Sequence, residues 1–309
     1  MTAASRLLLV VPPLMHKTPA FERAGVLARA MGAQLHVVAF DYLDALATAG
    51  LVNEALRSML RHDYVKHHQA WLEEQVSGLR NLGSTVTTEV MWADQPMVQI
   101  MAHVNEAGAN LVIKDIEHDS LLRRSMFTPL DLRLLHACRA PLHFVASGGH
   151  AQPRRIVAAV DLQTPEGDQY PGFNDQLIYA ALKLGVQCRA QVDLVYAYDL
   201  SAIDALQLGD AWATAAWAGQ LPATRFDQQQ QAFNQLAERN GIALEQCHFL
   251  LGSPPKVLAR FASEHDIDVV FLGRKHSRRP RHFLGSTTER LLYRLSGSLW
   301  VINPETALH

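Results

Sequence analysis

Cysteine is scarce in this chain of 309 residues: Cys138, Cys188 and Cys247 lie far apart and are odd in number. They form no CxxC pair or other metal-ligand spacing, which excludes a disulfide framework and a thiolate metal site and predicts buried, reduced thiols. Long apolar runs are missing too, and nothing approaches the roughly 20 residues of a membrane span. The N-terminal SRLLLVVPPLMHK has an apolar core, Leu7 to Val11, too short for a secretory signal and followed by no small-residue cleavage site; a buried strand is expected there. No sign of charge dominates, since 28 Lys and Arg face 30 Asp and Glu. That excludes a nucleic-acid binder held by a global positive field. Nucleophile-elbow, HExxH and Walker A motifs are absent as well. What remains is a cytoplasmic globular protein with no nucleic-acid partner, no membrane span and no motif for dedicated catalysis.

What the chain does have is an internal repeat, the feature to seek before local structure. LLLVVP (Leu7–Pro12) is answered by IVAAVD (Ile156–Asp161), and HVVAFDYL (His36–Leu43) by DLVYAYDL (Asp193–Leu200). The helical stretch from Pro96 is restated from Pro255, and DLRLLHACRAPLHFV (Asp131–Val145) by TERLLYRLSGSLWVI (Thr288–Ile302). The offset of about 150–158 residues is of domain size. Two domains are therefore expected, 1–147 and 154–309, joined by the polar SGGHAQP (Ser147–Pro153).

Each copy alternates apolar runs with helical patterns. Continuous Val, Leu and Ile runs predict strands buried on both faces. In the helix from Pro96, Met97, Ile100, Met101 and Val104 share one face and Gly108 marks the stop. Alternating βα units predict an α/β fold with open parallel sheets, whose ligands bind beyond the strand carboxyl ends. A long amphipathic cover helix is expected after the second strand of each copy, from Leu51 to Gly83 and from about Ala202 to Asn240.

Together, Asp161 after a first strand, FLG…LGSTTERLL and the closing SLWVIN resemble the universal stress protein family. The duplication and FTPLDLRLLHACRAPLHFV resemble its tandem E-type members. The resemblance implies two Rossmann-like, adenine nucleotide alpha hydrolase-like domains paired as an intramolecular pseudo-dimer, with further homodimerisation open. It also implies a role in the stress response. ATP-binding relatives use a loop G-x2-G-x9-G-[ST], in which glycines admit phosphates to backbone amides at a helix start. Carried over, the nucleotide residues of the second copy are Ala159, Val160, Asp161, Ala197, Leu272, Gly273, Arg274, His276, Gly285, Ser286 and Thr287.

Two departures modify that loop. His276 replaces the second glycine, and eight rather than nine residues separate it from Gly285. Pro280 redirects the path, while Arg274, Lys275, Arg278, Arg279 and Arg281 concentrate positive charge. These arginines suit a nucleotide or other anion; a solvated basic loop is the alternative. In the first copy Pro12 stands where Asp161 does, and KDIEHDSLLRRSMFTPLD has no glycine and an acidic start at Asp115, Glu117 and Asp119, so no ATP is expected there. Thr128 is expected to cap a helix opened by Pro129, and Ser286 to cap its counterpart. Glu117, His118 and Asp119, and Asp63 with His67, fix no metal geometry and read as solvated surface. His143 and Trp300 occupy matched strand positions and suggest packing. Three functions stay open: a regulatory or protective stress protein with protein partners, a slow ATPase at the second copy, and a binding module for a lipid-like or other small ligand.

Overall fold

The computed structural model describes residues 5–42, 54–117, 129–162, 171–199, 223–274 and 287–304. The chain divides into two compact units, Met1–Gln152 and Pro153–His309, built to one plan.

In the first unit the strands are β1 (Arg6–Val11), β2 (Gln34–Asp41), β3 (Val86–Trp92), β4 (Leu111–Asp115) and β5 (Leu142–Val145). They pair in parallel in the order β3-β2-β1-β4-β5. Leu7, Leu8 and Leu9 are almost wholly buried, as a central strand covered on both faces requires. Helix α1 (Pro19–Met31) starts where Thr18 accepts a hydrogen bond from the Phe21 amide and Pro19 presets the first turn, and stops at Gly32 in the left-handed conformation. Helix α2 (Glu54–Asn81) is the expected cover helix. It buries only the narrow stripe His68, Leu72 and Val76. Helix α3 (Pro96–Ala107) buries Met97, Ile100 and Val104 and ends at left-handed Gly108; Met101, expected on that face, is half-buried. Helix α4 (Leu130–Ala137) starts one residue later than expected, because Pro129 has extended ψ 149 and flanks the helix instead of opening it. Thr128 lies outside the described residues.

The second unit repeats this with β6 (Arg155–Val160), β7 (Gln191–Tyr198), β8 (Cys247–Leu251), β9 (Val269–Gly273) and β10 (Ser298–Ile302). The parallel order β8-β7-β6-β9-β10 is the same as in the first unit. Its helices are α5 (Phe173–Cys188), α6 (Ala223–Arg239), α7 (Pro254–Glu264) and α8 (Thr287–Leu292). Residues 202–222 of the second expected cover helix lie outside the described residues. In both sheets the strand order reverses between the first and fourth strands, and crevices at such reversals are where ligands of this architecture bind.

The cysteines form no disulfide; Cys138 and Cys188 are buried as expected, whereas Cys247 is half-buried. His143 takes part in a buried polar contact with Arg23, 3.2 Å apart, and Trp300 stacks on Phe271 with ring centroids 5.0 Å apart. Among the described residues, no helix is long and apolar enough to cross a membrane.

Candidate functional site

Strand pairing matches the two units residue by residue. Leu7 faces Leu111 as Ile156 faces Val269, and Val112 faces Leu142 as Val270 faces Leu299. The carboxyl ends of the central strands can therefore be compared directly.

In the second unit, Ala159 and Val160 end β6 and are buried, and Asp161 follows them exposed at the surface. Asn174, in the first turn of α5, clips the backbone of Asp161 from both sides. Its Nδ2 donates to the Asp161 carbonyl (2.9 Å), and its Oδ1 accepts from the Asp161 amide (3.3 Å). Ala197 lies near the end of β7, buried. Leu272 and Gly273 end β9, and Arg274 continues the strand, its amide donating to the Ile302 carbonyl at 2.8 Å. These residues therefore converge on the ends of β6, β7 and β9. His276, Gly285 and Ser286 lie outside the described residues, as do the other basic residues of the loop. Thr287 opens α8, and the hydroxyl of buried Thr288 reaches back to the Gly273 carbonyl at 3.5 Å.

Two points at this strand end were not foreseen. A Cβ at position 273 would stand 2.3 Å from Cε1 of Phe173, so Phe173, the first residue of α5, packs on the bare Gly273 backbone. Gly273 is thus required by side-chain packing. Arg274, counted with the basic loop in the sequence, is buried with 8% of its surface exposed. Asn174 and Phe173 carry no motif; only their place at the helix start marks them.

The first unit has the same strand ends in different chemistry. Phe40 occupies the position of Ala197, and Lys114, Asp115 and Ile116 those of Leu272, Gly273 and Arg274. Asp115 Oδ1 accepts from the Ala20 amide at 2.9 Å. A carboxylate of the chain thus takes the α1 amino terminus, where the helix dipole favours an anion. Lys114 Nζ lies 2.9 Å from Asp131 and 2.6 Å from Glu117, and the Glu117 amide donates to Asp131 Oδ2 at 2.9 Å. Burial pushes the Lys114 amine down, but attraction to Asp131 and Glu117 outweighs it and the net shift is upward. Burial pushes the Asp115 carboxyl up, against hydrogen bonds from Thr18 and Ala20. Glu117 pairs with Lys114 while 39% of its side chain stays exposed; His118 and Asp119 lie outside the described residues. His67 Nδ1 bonds the Asp63 backbone carbonyl at 2.7 Å, so that pair meets through the main chain and not through the carboxylate.

Residues 153–303 match the universal stress protein family. Over 308 residues the chain is 25% identical to Universal stress protein E of Escherichia coli (strain K12), covering 99% of this chain and 96% of that protein. Universal stress protein E of Photorhabdus laumondii is 24% identical over 303 residues, covering 97% of this chain and 95% of that protein. Among solved structures, a Pseudomonas aeruginosa PAO1 protein shares the fold with TM-score 0.73 and 21% identity, covering 99% of this chain and 95% of that one. A universal stress protein from Archaeoglobus fulgidus DSM 4304 shares it with TM-score 0.64 and 14% identity, covering 96% of each chain.

Proposed function

We propose that the chain, whose residues 153–303 match the universal stress protein family and which is 25% identical over 308 residues to Universal stress protein E, has its role in the stress response and acts there by binding rather than by dedicated catalysis. The second unit takes the ligand, an adenine nucleotide or a similar anion, and the first is a structural partner. The observation that carries this is the contrast at the strand ends. Small or neutral Ala197, Leu272 and Gly273 stand in one unit where Phe40, Lys114 and Asp115 stand in the other. On this reading Phe40 stands where an adenosine would lie, and Asp115 sets a carboxylate where the second unit has Gly273. In the second unit Asp161 stands exposed, its backbone held by Asn174, and suits a base or sugar contact. Gly273 ends β9 beside it, packed by the Phe173 ring. Such a ligand would set which surface the protein offers to regulatory partners in the cytoplasm.

Calorimetry of the full chain with ATP, with and without magnesium, tests this when paired with a phosphate-release assay. Micromolar saturable binding that weakens at least tenfold in Asp161→Ala, without steady phosphate release, is expected. Absence of saturable heat overturns the nucleotide assignment, and multiple turnover abolished by Asp161→Ala overturns the non-catalytic one.

A further inference from the structure

Away from the strand carboxyl ends, three side chains of the first unit converge from three elements. His36 lies on β2, Glu89 on β3 and His103 on α3. The two imidazole Nε2 atoms are 2.8 Å apart, and Glu89 Oε2 lies 3.5 Å from His36 Nε2 and 3.7 Å from His103 Nε2. The rings stack with centroids 5.0 Å apart and planes 19° from parallel. His36 opposes Thr87 across the β2–β3 ladder, so Glu89, two residues on, points to the same face as both.

We infer that His36, Glu89 and His103 form a binding site for a transition-metal dication, zinc by preference, coordinated through both Nε2 atoms and one carboxylate oxygen. Imidazole and carboxylate are the donors such ions take, at about 2.0–2.2 Å, with a fourth position left for water or a further ligand. Tetrahedral coordination at that length holds ligand atoms roughly 3.3 Å apart. The three present separations straddle that value, so only small side-chain adjustments are required. The support of a metal-binding imidazole is also present. Thr87 Oγ1 lies 2.8 Å from His36 Nδ1, and by accepting from Nδ1–H it leaves the Nε2 lone pair facing the cluster. His103 is largely enclosed, with 13% of its side chain exposed, while Glu89 at 44% keeps the cluster open to solvent. His36 and Thr87 also line a cavity of about 190 Å³ with Arg6, Gln34, Thr85 and Ala107, which gives an ion a way in.

The second unit has a different set at the same place, with His248 Nε2 4.0 Å from Asp193 Oδ2. The matched strand registers set Asp193 where His36 stands and His248 where Glu89 stands. Helices α3 and α7 begin at Pro96 and Pro254, each fifteen residues before the strand position that faces Leu7 or Ile156. This moves the helix match one residue from Pro255, and it sets Phe261 where His103 stands. Asp193 faces the Arg155 guanidinium at 3.5 Å, and the His248 ring packs on Phe261 with centroids 4.7 Å apart. A cation replaces the metal's place on one side and an apolar ring its third ligand on the other. The cluster is therefore a property of the first unit and not of the shared fold.

The test uses the untagged full chain, stripped with chelator, and zinc alone as the probe in calorimetry. Cobalt, followed by its visible absorption, reports coordination geometry. One zinc per chain is expected, with the affinity lowered at least 100-fold in His103→Phe, which installs the residue the second unit uses there. Glu89→Gln, a near-isosteric change at a half-exposed position, lowers it by a smaller factor, and guards against misfolding of the first variant. Thr87→Val lowers it by about 10–100-fold, the usual loss when a ligand's hydrogen-bond support is removed. Unchanged zinc affinity and stoichiometry in Glu89→Gln and in folded His103→Phe would overturn the assignment, as would absence of zinc binding by the parent chain.

Discussion

The two units place the same strand ends in opposite electrostatic states. Where the first has Lys114 and Asp131 as a buried ion pair, the second has Leu272 and Thr288, with the Thr288 hydroxyl reaching the Gly273 carbonyl. On the proposed function, the first unit's strand ends hold the chain's own charges where the second would hold a ligand. Asp115 takes the start of α1, Lys114 is held by Asp131 and Glu117, and Phe40 is buried at the end of β2.

The contrast breaks most sharply at Asp131. Removing one partner of a buried ion pair leaves an uncompensated charge, so Asp131→Ala should cost about 3–5 kcal/mol in urea denaturation. Lys114→Leu combined with Asp131→Thr, which installs the residues of the second unit, should recover most of that loss, since apolar replacement of a whole buried pair is often neutral. A double variant as unstable as Asp131→Ala would show that the ion pair does more than satisfy itself.

A smaller effect is expected at Gly273. The added methyl of Gly273→Ala meets the Phe173 ring, and such overpacking costs about 1–3 kcal/mol. Combining it with Phe173→Leu should give a combined loss less than the sum of the two single losses, read from the same denaturation curves. Strict additivity would mean that the two residues do not touch.

The smallest effect is expected at Asp115. In Asp115→Asn the side-chain carbonyl still accepts from the Ala20 amide, so stability at neutral pH should stay within about 1 kcal/mol of the parent. Its pH dependence should differ, however. Burial raises the native Asp115 pKa against its hydrogen bonds, so the native state keeps its proton to higher pH than the unfolded chain. The parent therefore loses stability as pH rises from the unfolded value of about 3.9 through the raised native one. The Asn variant should lack that loss, as a series of thermal midpoints across the window will show.

Much of this was legible in the sequence because it follows from pattern. The repeat, the buried strands from Leu7 and Ile156, and the glycine stop at Gly108 rest on burial and backbone preference, which act locally. Asp161 and Gly273 were legible because a motif carries them. Phe173, Asn174 and the Lys114–Asp131 pair were not, since each depends on which residue from another element faces it. The same holds for His36, Glu89 and His103. Searching for ligands by spacing found Asp63 with His67 and Glu117 with its neighbours, each on one element, whereas the three converging side chains are brought together only by strand register and helix packing.

The most direct test of the divergence is amide hydrogen exchange of the full chain with and without ATP, resolved to short peptides. New protection is expected at Asp161, at Gly273 and Arg274, and at the start of α8, with none at Ala20 or from Asp115 to Glu117. Protection in the first unit, equal protection in both, or no change in either at saturating ATP would contradict it.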